Sequence, residues 1–185
     1  MKFKSLKLAQ AIIGFCCLLP GLSIAQMCNN TVISTTPTDR FVDNADGTIT
    51  DPKTGLMWQK CIDGRSGSEC QDGSSAAYNW PSALVRAEGL NNSSGFANHV
   101  DWRVPNIKEL LSITEKSCFL PAINLAVFPN TDEQASIWSS TPFRGSYDAY
   151  FVNFLNGGSQ SRMKGSTNNL RLVRTATPTP NIGAN

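Results

Sequence analysis

The segment DWRVPNIKELL, residues 101–111, decides the fold, because it combines a large aromatic side chain, an arginine and the start of a helix. Pro105 favours an extended conformation at Val104, and Asn106 is a good N-cap. Glu109 then lies at the third helical position, where its carboxylate completes a capping box. Apolar or weakly polar residues follow at helical spacing: Ile107, Leu110, Leu111 and Thr114. This hub segment (101–111) therefore predicts a short amphipathic helix that begins at Asn106.

Residues 1–25 have the pattern of a secretory signal peptide. Three lysines precede an apolar stretch, and the small residues Ser23 and Ala25 predict cleavage before Gln26. Polar and helix-breaking residues interrupt the stretch, which makes it a poor membrane anchor. Phe15 precedes Cys16 where lipid attachment needs a small residue, so we do not expect a lipoprotein. We expect an exported protein, periplasmic or at the cell surface, with no transmembrane anchor after cleavage.

The mature chain suits one domain of about 160 residues. The signal peptide removes three of the 16 basic residues, so 13 remain against 14 acidic ones, a net charge of −1. This balance argues against a nucleic-acid partner. Residues 140–185 have a charge of +4, from five basic residues and one acidic residue. These are Arg144, Arg162, Lys164, Arg171 and Arg174, with Asp148. We expect this end to meet an anionic partner.

Cysteine usage predicts two disulfides in an oxidising compartment. The mature chain keeps four cysteines: Cys28, Cys61, Cys70 and Cys118. Three pairings are possible. We favour Cys61 with Cys70, which closes a short polar loop, and this leaves Cys28 with Cys118. The chain has no C-x-x-C motif and a single histidine, so we expect no zinc site, no other metal and no cofactor.

The first half of the mature chain predicts a lead segment, a hairpin and a further strand. We expect residues 26–39 to form a polar segment, the lead segment, that only Cys28 attaches to the rest of the domain. Strands are expected at 40–42, 48–50 and 56–59. The acidic turn 43–47 lacks the third carboxylate and the terminal glutamate of a calcium-binding EF-hand loop, so we interpret it as a hairpin turn.

The second half predicts two helices and an antiparallel meander within a domain that spans 40–174. Trp80, Pro81 and Ser82 open the first helix and residues 91–95 end it, and the second is the hub helix. Residues 121–131 are expected to be irregular. The predicted strands cover 137–140, 149–155, 160–164 and 170–174, and residues 175–185 form a Thr/Pro-rich tail.

The motifs of common enzyme classes are missing. The chain has no G-x-S-x-G, no P-loop, no dinucleotide-binding glycine motif and no H-E-x-x-H. His99 is the only histidine, and a structural role suits it better than acid–base catalysis. Disulfide formation would also remove the cysteines as nucleophiles. We therefore expect a non-catalytic protein.

Aromatic and basic residues supply the candidates for core and for binding. Trp58, Trp102 and Trp138 lie in apolar patterns and are expected in the core, whereas Trp80 is the best of the four for stacking on a sugar. We expect structural anchors in four charged residues: Arg103, Glu109, Arg171 and Arg174. The candidate ligand-binding residues are Arg144, Tyr147, Arg162 and Lys164, and a plain solvated surface is the alternative for them.

Several stretches, in this order, resemble the C-terminal domain family of the Legionella collagen-like adhesin. They are DGTITD (46–51), TGLMW (54–58), AL (83–84), GF (95–96), DWRVPN (101–106), KEL (108–110), PAIN (121–124), FPNT (128–131), WSST (138–141), AYFVNF (149–154) and RLVR (171–174). The resemblance covers most of residues 40–174. It implies a C-type-lectin-like α+β fold, stapled by disulfides, in which two short helices pack on a twisted, irregular antiparallel sheet.

The resemblance also implies a function. The family is known for binding sulfated polysaccharide and cell surfaces. This chain lacks the family's cysteines near Val85 or Arg86 and at Leu172. It also lacks the collagen-like repeat, so trimerisation and adhesion do not carry over automatically. We expect a binding module for anionic polysaccharide or for an envelope or surface protein. The alternatives are a structural subunit of a surface assembly and, less favoured, an enzyme of the formylglycine-generating type.

Overall fold

The computed structural model describes residues 26–176. The predicted signal peptide and residues 177–185 of the predicted tail lie outside this range. The helices are α1 (Trp80–Asn91) and α2 (Ile107–Ser112), with a 3-10 turn at Thr38–Arg40. The strands of the described residues are β1 (Met27–Cys28), β2 (Val42–Asp43), β3 (Thr48–Asp51), β4 (Leu56–Gln59), β5 (Arg65–Ser66), β6 (Asp72–Gly73), β7 (Ala77–Asn79), β8 (Cys118–Phe119), β9 (Ser136–Pro142), β10 (Asp148–Asn153), β11 (Gly158–Met163), β12 (Thr167–Asn169) and β13 (Val173–Thr175).

The two helices start where their capping residues predict. Asn106 accepts hydrogen bonds from the backbone N–H groups of Lys108 and Glu109, and Glu109 accepts one from Asn106 N–H at 2.8 Å. This completes the capping box. Helix α1 is capped by Asn79, whose side chain accepts from Ser82 N–H at 2.9 Å. Both predicted helices are therefore confirmed.

The strands form two main sheets rather than one meander. The five-stranded sheet has the order β11-β10-β9-β12-β7, and the four-stranded sheet has the order β13-β4-β3-β2. The predicted strand 170–174 is wrong, because β12 ends at Asn169 in one sheet and β13 begins at Val173 in the other. The residues that connect β12 to β13 are Leu170, Arg171 and Leu172. All three side chains are buried, because this segment crosses from one sheet to the other inside the protein. The contact of β12 with β9 is parallel, whereas the other pairings are antiparallel. The result is an α+β fold with mostly antiparallel sheets.

The hub segment connects the two sheets. Arg103 exchanges both backbone hydrogen bonds with Val173 of β13, at 2.9 Å each. Pro105 accepts a hydrogen bond from Ser140 N–H of β9 at 2.8 Å. Trp102 is buried between them, and Asn91 at the end of α1 bonds to both its backbone N–H and its C=O. The hub segment is therefore held by both sheets and by both helices.

The core consists of two adjoining groups of buried side chains. One surrounds Trp58 and includes Leu110 and Phe128, and the other surrounds Trp102 and Trp138 and includes Phe151. All three tryptophans are at most 1% exposed. Burial of aromatic side chains of this size dominates the apolar contribution to folding.

The lead segment is held by much more than Cys28, contrary to our expectation. Glu115 is only 3% exposed, and its carboxylate accepts hydrogen bonds from Ser34 Oγ at 2.6 Å and from Thr36 N–H at 2.8 Å. Burial alone would raise the pKa of Glu115, but hydrogen bonds from Ser34, Ser117 and Thr36 outweigh it and hold the pKa far below its usual range. The ionised carboxylate therefore fixes the lead segment against the residues that follow α2.

Both disulfides have the favoured pairing. Cys28 joins Cys118 beside the β1–β8 pair, and Cys61 joins Cys70 across the loop that contains β5. The first bridge closes 90 residues of chain and the second only nine. The long bridge thus ties the lead segment to the chain beyond the hub helix.

Candidate functional site

The predicted binding residues lie at one end of the five-stranded sheet. The turn 143–147 joins β9 to β10, and residues 162–164 end β11 directly beside it. Lys164 N–H donates to Tyr147 C=O at 3.0 Å, and Ala149 pairs with both Arg162 and Pro142. We call residues 143–147 with 162–164 the hairpin end. The sheet register thus brings the four predicted residues together.

The four side chains differ in how firmly they are held. Tyr147 is 91% exposed, and Arg144 is also exposed. The Arg162 guanidinium lies 4.8 Å from the centre of the Phe151 ring and donates to Asn168 Oδ1 at 2.6 Å. The Lys164 ammonium lies 4.8 Å from the centre of the Trp80 ring. Two cations are therefore positioned by aromatic rings, while the turn presents two freer side chains.

Aromatic and apolar neighbours add to the hairpin end, and the sequence analysis did not include them. The rings of Phe143 and Tyr150 pack edge to face at 5.2 Å, and Phe143 and Met163 are exposed. Tyr150 lies between the buried residues Ala149 and Phe151 of β10, whereas β11 has no buried residue, so no alternation marks Met163. Cations and aromatic edges together suit a charged polymer with apolar ring faces.

The C-terminal charge is less accessible than the sequence predicted. Arg174 is only 6% exposed and pairs with Asp101 at 2.6 Å. Arg171 is fully buried, donates to the backbone C=O groups of Gln59 and Lys60 and to Thr131 Oγ1, and has no ion-pair partner among residues 26–176. Burial lowers the pKa of Arg171 to about 9. Of the five cations counted in the +4 charge of residues 140–185, only Arg144, Arg162 and Lys164 reach solvent, whereas Arg171 and Arg174 are buried.

Arg103 and Glu109, two of the expected anchors, form a bidentate ion pair with both contacts at 2.7 Å. The Arg103 side chain is 43% exposed, so the guanidinium is not buried. The contact of Arg103 with β13 is made by its backbone, and the guanidinium takes no part in that contact. An exposed pair of this kind contributes little stability by itself.

The acidic turn 43–47 and His99 take part in hydrogen bonds and packing within the fold. Asp43 accepts from Ala45 N–H and from the Lys60 ammonium, and Asp46 accepts from Thr48, as in a hydrogen-bonded hairpin turn. The hydrogen bond from Lys60 lowers the pKa of Asp43. His99 pairs with Phe96 through the backbone, and its ring packs edge-on to Trp102. Within residues 26–176, no group of three or more His, Cys, Asp or Glu side chains is arranged to hold a metal ion.

A cleft that the sequence did not predict opens beside α1. Its volume is about 630 Å³, and it lies between the turn 43–47, the loop 59–68 and the second half of α1. On its wall Asp63 accepts from Arg86 at 3.0 Å, twice, and from Tyr78 Oη at 2.6 Å. Burial, followed by the hydrogen bond to Asp63, raises the pKa of Tyr78. Its three walls come from separate parts of the chain, so no local pattern marks it.

Comparisons with known proteins identify the domain. No curated protein matches the chain. No helix in the described range 26–176 has the length and apolar character needed to cross a membrane. Residues 47–174 match the family described as the Lcl C-terminal domain, an adhesin-type domain. This match covers more than half of the chain and includes the hub segment, both helices and the hairpin end. The chain therefore belongs to the family of the C-terminal domain of the Legionella collagen-like adhesin.

Proposed function

We propose that the protein is an exported, non-catalytic binding module that recognises anionic polysaccharide at the hairpin end. One observation carries this proposal. Six basic residues of the described chain form ion pairs with carboxylates, whereas Arg144, Arg162 and Lys164 lie together with no carboxylate within ion-pair distance. Unpaired cations clustered on a surface attract anions.

The neighbouring rings support a polysaccharide as the anion. Arg162 and Lys164 are held over aromatic faces, which fixes the spacing of the two charges. Tyr147 and Phe143 are exposed in the adjoining turn 143–147. A sulfated or carboxylated sugar chain has regularly spaced charges together with apolar ring faces, and it complements both features.

Heparin affinity chromatography of the mature protein tests this proposal. We expect retention at low salt and release as salt rises, because surface charge contacts are screened. An Arg162→Ala/Lys164→Ala variant should bind about tenfold more weakly if each exposed contact contributes about 0.7 kcal/mol.

The matched control is the Lys53→Ala/Lys116→Ala variant, which removes the same charge at exposed positions outside the hairpin end. It should elute close to the wild type. Equal elution of the two double variants would show that net charge alone governs binding, and flow-through of the wild type at low salt would refute the proposal.

A structural subunit of a surface assembly is the second candidate. Met27 and Phe119 are paired across β1 and β8 and are about half exposed, and Ile33 is 90% exposed. Exposed apolar groups of this kind mark protein–protein contacts when they are contiguous. An enzyme of the formylglycine-generating type has less support, since all four described cysteines are in disulfides and have no thiol to react.

A further inference from the structure

The cleft beside α1 has the size of a small-molecule site. Binding pockets for small molecules commonly measure about 300 to 1,000 Å³, and this cleft measures about 630 Å³. It shares no lining residue with the hairpin end. Any ligand bound there would therefore be recognised independently of the anionic polysaccharide.

Every cation that lines the cleft is already paired, and Asp46, the one lining carboxylate without an ion pair in the described part of the chain, is exposed and accepts hydrogen bonds from Thr48. Lys60 pairs with Asp43 at 2.8 Å, and Arg65 pairs with Asp132 at 2.9 Å. Arg86 and Asp63 form the bidentate pair described above. An anionic ligand would have to break one of these pairs and leave a partly buried charge without a partner, which is costly. A cationic ligand would find only Asp46, which is exposed and screened by solvent. The wall thus favours a ligand with no net charge.

An unused hydrogen-bond donor lines the same cleft. Gln59 is 7% exposed, and its Oε1 accepts from Leu172 N–H at 3.1 Å, which fixes the orientation of the amide. Its Nε2 group makes no hydrogen bond within residues 26–176. The cleft wall therefore offers this amide N–H group to a ligand oxygen or to water.

Apolar side chains complete the cleft. Ile62, Leu90 and Phe96 contribute to its lining. Phe96 is held edge to face against Trp102, with ring centres 5.7 Å apart, and lies against Gly47. Gly47 has a φ of +87°, and a Cβ there would lie 2.9 Å from the Phe96 ring, so both the backbone conformation and the close contact require glycine. The ring is therefore fixed in position at one side of the cleft.

We propose that this cleft binds a neutral sugar of the size of a monosaccharide or disaccharide. Hydroxyl groups both donate and accept, so they can bond to the paired carboxylates of Asp43 and Asp63 and to the donors of Gln59 and Arg86 without breaking an ion pair. The apolar face of a sugar ring packs on Phe96. The domain then has two carbohydrate sites, one for charge and one for neutral rings.

NMR titration of ¹⁵N-labelled mature protein tests the cleft. The probes are glucose, galactose, mannose, N-acetylglucosamine, maltose, lactose and cellobiose, with glucuronic acid as the charged comparison. At least one neutral sugar should shift the backbone amides of residues 43–47 and 59–68. A Ser68→Trp variant, which fills the exposed mouth of the cleft, should weaken that binding by about tenfold or more.

The matched control is Glu69→Trp, the same bulky substitution at the adjacent exposed position, which does not line the cleft. It should keep the wild-type affinity, and both variants should keep the wild-type heparin elution. The proposal is refuted if no neutral sugar shifts the cleft amides at tens of millimolar, if glucuronic acid alone binds there, or if Ser68→Trp binds as tightly as Glu69→Trp.

Discussion

Replacing Trp102 by alanine should unfold the domain or leave it marginally stable, with a loss of about 3 to 5 kcal/mol in the free energy of unfolding. The indole is 1% exposed, packs against Phe96 and donates from Nε1 to Phe96 C=O at 3.0 Å. Alanine would leave a large cavity at the point where the hub segment joins α1, β9 and β13. The total free energy of unfolding of a small domain is only about 5 to 15 kcal/mol, so this loss is a large share of it. Urea unfolding followed by circular dichroism measures it.

Tyr147→Ala is the matched control, since it removes a large aromatic side chain that is 91% exposed. It should change the free energy of unfolding by less than about 0.5 kcal/mol while weakening the retention on heparin. A Trp102→Ala protein that kept its stability and lost only ligand binding would show that scaffold and site are assigned the wrong way round.

Removing the Cys28–Cys118 disulfide should destabilise the domain by a similar amount. In the chain-entropy model a bridge across 90 residues contributes about 4 to 5 kcal/mol, and a bridge across nine residues about 2.5 to 3 kcal/mol. The Cys28→Ser/Cys118→Ser variant should therefore unfold at lower urea concentration than the Cys61→Ser/Cys70→Ser variant.

The contacts of Glu115 should hold the lead segment in place when the Cys28–Cys118 bridge is removed. The carboxylate still accepts from Ser34, Thr35 and Thr36, so the lead segment should stay docked in the folded state. Removal of the disulfide would then lower the stability mainly because the unfolded chain gains conformational freedom. Equal stability of the two serine variants would contradict the entropic account.

Local chemistry predicted the helices well. Pro105, Asn106 and Glu109 specify a helix start within five residues, and the structure has that start with both capping bonds. Trp80 and Pro81 mark the start of α1 in the same way. Such signals need only neighbouring residues, so one sequence is enough to detect them.

Long-range pairing explains what the sequence did not predict. Glu115 finds its partners in the lead segment about 80 residues away, with no local pattern to indicate them. Arg171 alternates with Leu170 and Leu172 as in a half-exposed strand, yet all three are buried, because the segment passes between the sheets. The cleft likewise combines the turn 43–47 with α1, and only the folded chain brings them together.

The members of the candidate site remain a prediction, and the sequence overestimated its accessible charge. The register of β10 and β11 assembles the four predicted residues, because they flank one hairpin. Arg174 was counted as part of the same cationic end. In the fold it forms an ion pair with Asp101, which lies 73 residues earlier in the chain. Charge counts along a chain do not show which cations are paired across the fold.

Hydrogen–deuterium exchange of the mature protein, with and without heparin, tests most directly whether the hub segment is scaffold and the hairpin end is the site. Heparin should slow exchange in residues 143–147 and 158–164, and it should leave residues 101–111 unchanged, because their backbone is already bonded to both sheets. Slowed exchange in residues 101–111, with none at the hairpin end, would contradict this account.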